Sequence, residues 1–289
     1  MRLQNKIGIF THSFRVGLQE GLKLAQQLGA DGVQLLAIGG ELDPHRMPAS
    51  ARVELKRHIA KLGLEVSALC GDLGGYGFQD KEANPDKIET SKRILDLAVD
   101  LGTNVVMTHI GPIPEDANDP VCREMHRACL ELAAYAASKN AYFAIETGPE
   151  TAERLKRFLD SLPTRGVAVN FDPANLVMVT GDDPVQGVKL LKDYIVHTHV
   201  KDGVRLREAD PRTVYRTLGY RPPEQDETGL AAGPVYREVP LGEGAVRFDA
   251  YFAALQSIGY GGYLTIERET GERPAEDIGR AIAFINRFR

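Results

Sequence analysis

YFAIETG, residues 142–148, is an apolar, β-rich run that reaches a carboxylate at Glu146 and is broken by Gly148 and Pro149. A near-continuous apolar string of this length fits a strand covered on both faces, as in a parallel sheet. A carboxylate at its end has to be paired, metal-bound or protonated, because burying it alone is costly. Downstream the pattern recurs. GVAVNFD (166–172) closes on Asp172, IVHTHVKD (195–202) carries His199, and YLTIERE (263–269) carries Glu267. Upstream lie KIGIF (6–10), GVQLLA (32–37), EVSALCG (65–71) and NVVMTHIG (104–111), the last bearing His109.

Each of these runs is followed by a stretch with helical periodicity, the alternation expected of parallel strands joined by crossover helices. In GLQEGLKLAQQLGA, Leu18, Leu22, Ala25 and Leu28 share one face and Gly29 supplies a stop. The same join precedes later strands at Leu62-Gly63, Leu101-Gly102 and Ile258-Gly259. Eight such units can close into a (β/α)₈ barrel or lie open as a doubly wound sheet. An open sheet gathers its ligand groups at a switch point, whereas a barrel turns every strand end toward one mouth. Here ionisable residues close the fourth to eighth runs, which favours the barrel. No GxGxxG follows the first strand, so a dinucleotide site is not indicated.

The chain has 289 residues, near the ~250 typical of such a barrel, and residues 1–289 are read as one domain. The stretch 203–245, with RPPEQDETGLAAGP, is too long for an ordinary connection and reads as an insertion at the barrel mouth between strands seven and eight. A lid, a surface excursion and an oligomer contact all fit it.

A formal net charge of −5 gives no general attraction for nucleic acid. No run approaches the ~18–20 apolar residues that span a bilayer, and MRLQNKIGIFTHSF lacks a secretory leader's apolar core. A cytoplasmic protein is expected, without nucleic-acid or membrane partners; pairing into a homo-oligomer is left open. Cys70, Cys122 and Cys129 lack CxxC spacing, so neither a disulfide framework nor a thiolate zinc site is suggested.

Taken singly, the strand-end residues have ordinary explanations. Asp172 can cap the next helix, His199 can be a hydrogen-bonded core residue, and either Glu can pair with an Arg. Together, one His and three carboxylates form a hard, oxygen-rich set that suits one divalent metal ion: Mn²⁺ first, with Mg²⁺, Co²⁺ or Zn²⁺ as alternatives. His197 and His199 point to the same face of their strand, so alternation does not separate them.

In the order AIETG, NFDPAN, HTHVKD and TIERE, the chain resembles the xylose isomerase-like barrels. These include sugar-phosphate isomerases and epimerases, ketose 3-epimerases, inosose isomerases and endonuclease IV. The resemblance runs from the first strand to the last. It implies that Glu146, Asp172, His199 and Glu267 bind one metal, with Glu146 and Glu267 also acting as acid and base. It selects His199 over His197 as the ligand and makes Arg205, six residues on, a substrate-binding residue. His197 then becomes a supporting or core residue. The chain departs from the pattern at Asn175, where epimerases and endonuclease IV have His, and at Cys70-Gly71-Asp72, where the nuclease has a third-strand His. His109 does occupy the fourth-strand position. An amide is a poor metal ligand but a good partner for a substrate hydroxyl, which argues against a three-metal phosphodiesterase. His109, Asn175, His12 and Lys201 are further candidates to touch substrate.

The expected chemistry is metal-assisted removal of a proton beside the carbonyl of a keto sugar or keto-inositol, through an enediolate. Isomerisation and epimerisation are preferred. A lyase or dehydratase acting on a keto sugar or keto-glycoside is the alternative.

Overall fold

The computed structural model describes residues 2–75, 77–216 and 233–289. Eight of its strands form a closed parallel barrel: β1 (Ile7–Phe10), β2 (Gly32–Leu36), β3 (Glu65–Cys70), β4 (Val105–Thr108), β5 (Tyr142–Glu146), β6 (Val167–Phe171), β7 (Ile195–Val200) and β10 (Leu264–Ile266). The ring order is β1-β10-β7-β6-β5-β4-β3-β2. Each strand lies inside the apolar run expected for it. Helices wrap the outside, among them α1 (Leu18–Gln27), α2 (Ala49–Lys61), α3 (Asn84–Leu101), α4 (Pro120–Ser138), α5 (Ala152–Asp160), α9 (Phe248–Ser257) and α10 (Pro274–Asn286).

Local chemistry explains the regularity. On α1, Leu22 and Ala25 are fully buried, and removing a side chain such as Leu22 from water stabilises by roughly 2 kcal/mol. Gly29, Gly63, Gly102 and Gly259 all take left-handed φ values, from 73° to 95°, which a residue with a Cβ adopts only at a cost. Cys122 and Cys129 are buried on α4, and Cys70 is buried at the end of β3; all three thiols are free. No helix among the described residues is long and apolar enough to cross a membrane.

Register sets the site. β5 and β6 pair Glu146 with Asn170, β6 and β7 pair Asn170 with His197, and β10 and β7 pair Thr265 with His199. A register shift at Val169/Asn170 advances β7 relative to β6.

The inserted stretch has ordered roots rather than a wholly irregular course. β8 (Asp202–Arg205) and β9 (Tyr236–Val239) form an antiparallel pair, and α8 (Pro211–Arg216) lies between them in the chain. Residues 217–232, the centre of the expected insertion, lie outside the described residues. Two buried acids fasten the hairpin. Asp202 accepts backbone N–H bonds from Gly203, Gly242, Gly244 and Val246 at 2.8–3.1 Å. Glu238 accepts from Arg268 Nη1 at 2.6 Å and from the Glu269 N–H at 3.1 Å, so β9 is tied to the residues just beyond β10.

Candidate metal centre

Four parallel strands deliver their terminal side chains to one point at the same end of the barrel. Glu146 is the last residue of β5, Asp172 follows β6, His199 is next to last in β7 and Glu267 follows β10. All four are buried, and one donor atom from each lies within 4.8 Å of the others. His199 Nδ1 is the hub, 3.0 Å from Glu146 Oε1, 3.2 Å from Glu267 Oε2 and 3.7 Å from Asp172 Oδ2.

The surrounding bonds leave the right atoms for a cation. His199 Nε2 is 2.8 Å from Gln34 Oε1; donation of its N–H to that oxygen would leave the Nδ1 lone pair facing a cation that replaced the Nδ1 proton. Asp172 both caps and converges. Its Oδ1 accepts the Ala174 and Asn175 N–H bonds at 2.8 and 2.9 Å. Its buried Oδ2 turns to the cluster with no hydrogen-bond partner among the described residues. Thr147 Oγ1 locks the ends of β5 and β6 together, donating to the Asp172 carbonyl and accepting its N–H, each at 2.8 Å. This donor set fits one divalent ion: three hard carboxylates, one imidazole and no thiolate.

Lys201 Nζ reaches the same cluster. It donates to Glu267 Oε2 at 2.7 Å and Glu269 Oε2 at 2.8 Å, and lies 3.3 Å from Asp172 Oδ2. Burial opposes its charge, but these carboxylates outweigh it and hold the ammonium well above its ordinary range. The cluster is electrically uneven. Burial and the nearby Glu267 charge push Glu146 up. Burial acts on Glu267 in the same sense, yet His199 and Lys201 hold it far below the usual carboxylate range. Burial likewise opposes the Asp172 charge, but Lys201 and His199 prevail and lower it.

Around this centre lies a cavity of about 230 Å³, lined by Glu146, Glu267 and Lys201 together with His12, His109 and Asn175. Asn175 Nδ2 donates to Glu146 Oε1 at 3.2 Å. His109 Nδ1 is 3.1 Å from Asp72 Oδ2, while its Nε2 stands 3.8 Å from Glu146 Oε2. Burial lowers the affinity of His109 for a proton, but Glu146 and Asp72 reverse this and raise it to about 9. Arg205 is not among the residues lining this cavity, although Tyr236, its partner across the β8–β9 pair, is; its guanidinium packs beside Gly181. His197 also stays outside the cavity, with Nδ1 2.7 Å from Asn170 Oδ1 and Nε2 2.9 Å from Thr265 Oγ1.

Gln34, Glu269, Tyr236 and Tyr215 were not singled out from sequence. Gln34 left a trace, as the polar residue inside the apolar run GVQLLA. Glu269 ends the run YLTIERE, while Tyr215 on α8 and Tyr236 on β9 lie within the inserted stretch, where no local pattern marks them. A wider cleft of about 930 Å³ is built from outer parts of the same loops, including Gln79, Pro112, Pro149 and Arg212. It does not touch the four converging side chains.

A family model described as xylose isomerase-like TIM barrel matches residues 22–288. A solved xylose isomerase domain protein from Planctomyces limnophilus superposes with a TM-score of 0.80 at 27% identity, covering 99% of this chain and 97% of that one. A protein named putative L-ribulose-5-phosphate 3-epimerase from Haemophilus influenzae is 22% identical over 98% of this chain and 96% of its own length. An inosose dehydratase from Lacticaseibacillus casei is 30% identical over 124 residues, 43% of this chain and 37% of its own.

Proposed function

The chain belongs to the xylose isomerase-like TIM barrel family, and from that premise we propose that it is a sugar isomerase or epimerase acting on a keto sugar or keto-inositol. The observation that carries this is the pair Glu146 and Glu267. Their carboxylates approach His199 Nδ1 from β5 and β10, strands separated in the ring by β6 and β7. Two carboxylates on different sides of one ligand position can take a proton from one face and return one to the other, giving epimerisation. Return by the same carboxylate gives isomerisation.

A divalent cation held by Glu146, Asp172, His199 and Glu267, Mn²⁺ in the first instance, would place positive charge against adjacent carbonyl and hydroxyl oxygens and acidify the C–H between them. The chain supplies the rest. Gln34 holds the His199 ring, Thr147 holds Asp172, and Lys201 lies against Glu267. Asn175, His109 and His12 line the space where substrate hydroxyls would sit. The Asn175 amide is bonded to Glu146 and offers no imidazole for a further metal, which supports one ion per chain over a multinuclear phosphodiesterase centre.

Elimination is the second reading, favoured by the similarity to an inosose dehydratase; it shares the initial proton removal and differs in expelling a β-oxygen. Elemental analysis is expected to give one divalent metal per chain. Ketoses and inososes incubated in D₂O are expected to gain deuterium at the carbon beside the carbonyl. Dehydration of such substrates without any recovered isomer or epimer would replace the isomerase assignment with the lyase one, and two or three metals would sink the single-ion centre.

A further inference from the structure

The charge distribution around the mouth narrows the substrate class. Asp72, Glu146, Glu267 and Glu269 line the cavity with Asp172 buried beside them; Asp72 is paired with His109, 3.1 Å away, and Lys201 is the sole Lys or Arg among the described lining residues. Its ammonium is already engaged by Glu267, Glu269 and Asp172. A divalent ion and Lys201 would together balance the three ligand carboxylates. Glu269, with its side chain half exposed at the rim, would then remain as excess negative charge facing an incoming ligand.

The outskirts repeat this bias. The wider cleft carries six carboxylates against Lys81, Arg154 and Arg212. Arg212 bonds both oxygens of Asp210 through its Nε, at 3.1 and 3.0 Å, and Arg154 lies 3.5 Å from Glu115. A phosphate or carboxylate on the substrate would therefore meet like charge, which disfavours its close approach. A neutral polyol meets hydrogen-bonding groups instead, at His12, Asn175 and Tyr236.

We propose that the site accepts uncharged keto sugars, keto-cyclitols or keto-glycosides and rejects their phosphorylated or carboxylated counterparts, with Glu269 as a specificity-determining residue of that filter. This rests on the carbohydrate reading above and separates the chain from a relative named for a sugar phosphate.

The test is calorimetric titration of the manganese-loaded protein with a panel of ketoses and cyclitols, each paired with its phosphate ester. The neutral member is expected to bind at least about tenfold more tightly, a difference of ~1.4 kcal/mol. Glu269→Gln is expected to narrow that ratio at least threefold, because it removes the rim charge and with it part of the negative charge that holds the Lys201 ammonium. Esters that bind as tightly as the free compounds, or a panel in which no neutral member binds, overturn the proposal. An unchanged ratio in Glu269→Gln overturns the role of Glu269. The isomerase reading fails separately, when neutral ligands bind but none exchanges a C–H with D₂O.

Discussion

His197 and His199 stand two residues apart on one face of β7, both buried, and their surroundings drive them toward opposite charge states. His197 lies on the floor among neutral partners, Asn170 and Thr265. Burial, reinforced by the positive charge of His199, keeps its pKa well below the ordinary imidazole range. His199 lies one layer nearer the mouth. Burial opposes its charge too, but Glu267 and Glu146 reverse the balance and raise it. Equal burial thus gives opposite outcomes, and the neighbours decide. The floor is a neutral network in which His197 bonds Asn170 and Thr265 across neighbouring strands; the mouth concentrates carboxylates that a cation can unite.

The largest break in this contrast comes from the mouth carboxylates. Glu146→Gln and Glu267→Gln are each expected to lower kcat by about 10³-fold, since each loses an acid/base group as well as a ligand charge. Steady-state rates on any accepted ketose check this, and near-normal turnover in either variant removes that residue from the pair.

A pH experiment on chelator-treated protein probes the edge of the mouth. The folded-state pKa of His109 is raised from 6.5 to about 9, so its stabilising contribution is fully present below pH 6.5 and is lost as pH rises toward 9. Urea unfolding of the wild type should therefore lose more stability across that window than His109→Gln, by about 3 kcal/mol at most. Parallel curves for the two proteins would show that the Asp72–His109 pair contributes nothing in this range.

Gln34→Leu should sharpen the comparison by releasing the His199 ring. Metal affinity is expected to fall about 10–100-fold, measured by chelator competition, with one binding site retained. An unaltered affinity would mean that Gln34 does not set the ring. The smallest effect belongs to the floor. His197→Leu removes the partner of Asn170 and Thr265 and should cost about 1–2 kcal/mol of stability, while metal stoichiometry stays the same. Loss of the metal in that variant would erase the division between floor and mouth.

The eight strands were legible because each is a local apolar run followed by an amphipathic helix and, at four joins, a glycine now seen with left-handed φ. Barrel closure was legible less directly, from ionisable residues spread over consecutive strand ends. The Asp172 alternatives illustrate a limit of local reading: one oxygen caps the next helix and the other faces the cluster, so the cap does not compete with a place in the cluster. The β8–β9 pair was missed because its strands are brought together across some thirty intervening residues, roughly, and non-local pairing leaves little trace in either segment. Arg205, assigned to substrate by resemblance, is not itself a lining residue but pairs with Tyr236, which is.

The sequence by itself determined the order of strands and helices, the chemical type of the donor set and the absence of thiolates from it, because apolar period, helix stops and side-chain chemistry are carried within short segments. Only the tertiary structure decided which atoms meet. Gln34 on β2 and His199 on β7 are separated around the ring by β1 and β10 and touch across the barrel interior. Lys201, Glu269 and Glu238 acquire their partners only when the end of β7, the β8–β9 hairpin and the end of β10 come together. Closure converts four strand ends into one centre because it sets distances between residues that have no local means of finding each other.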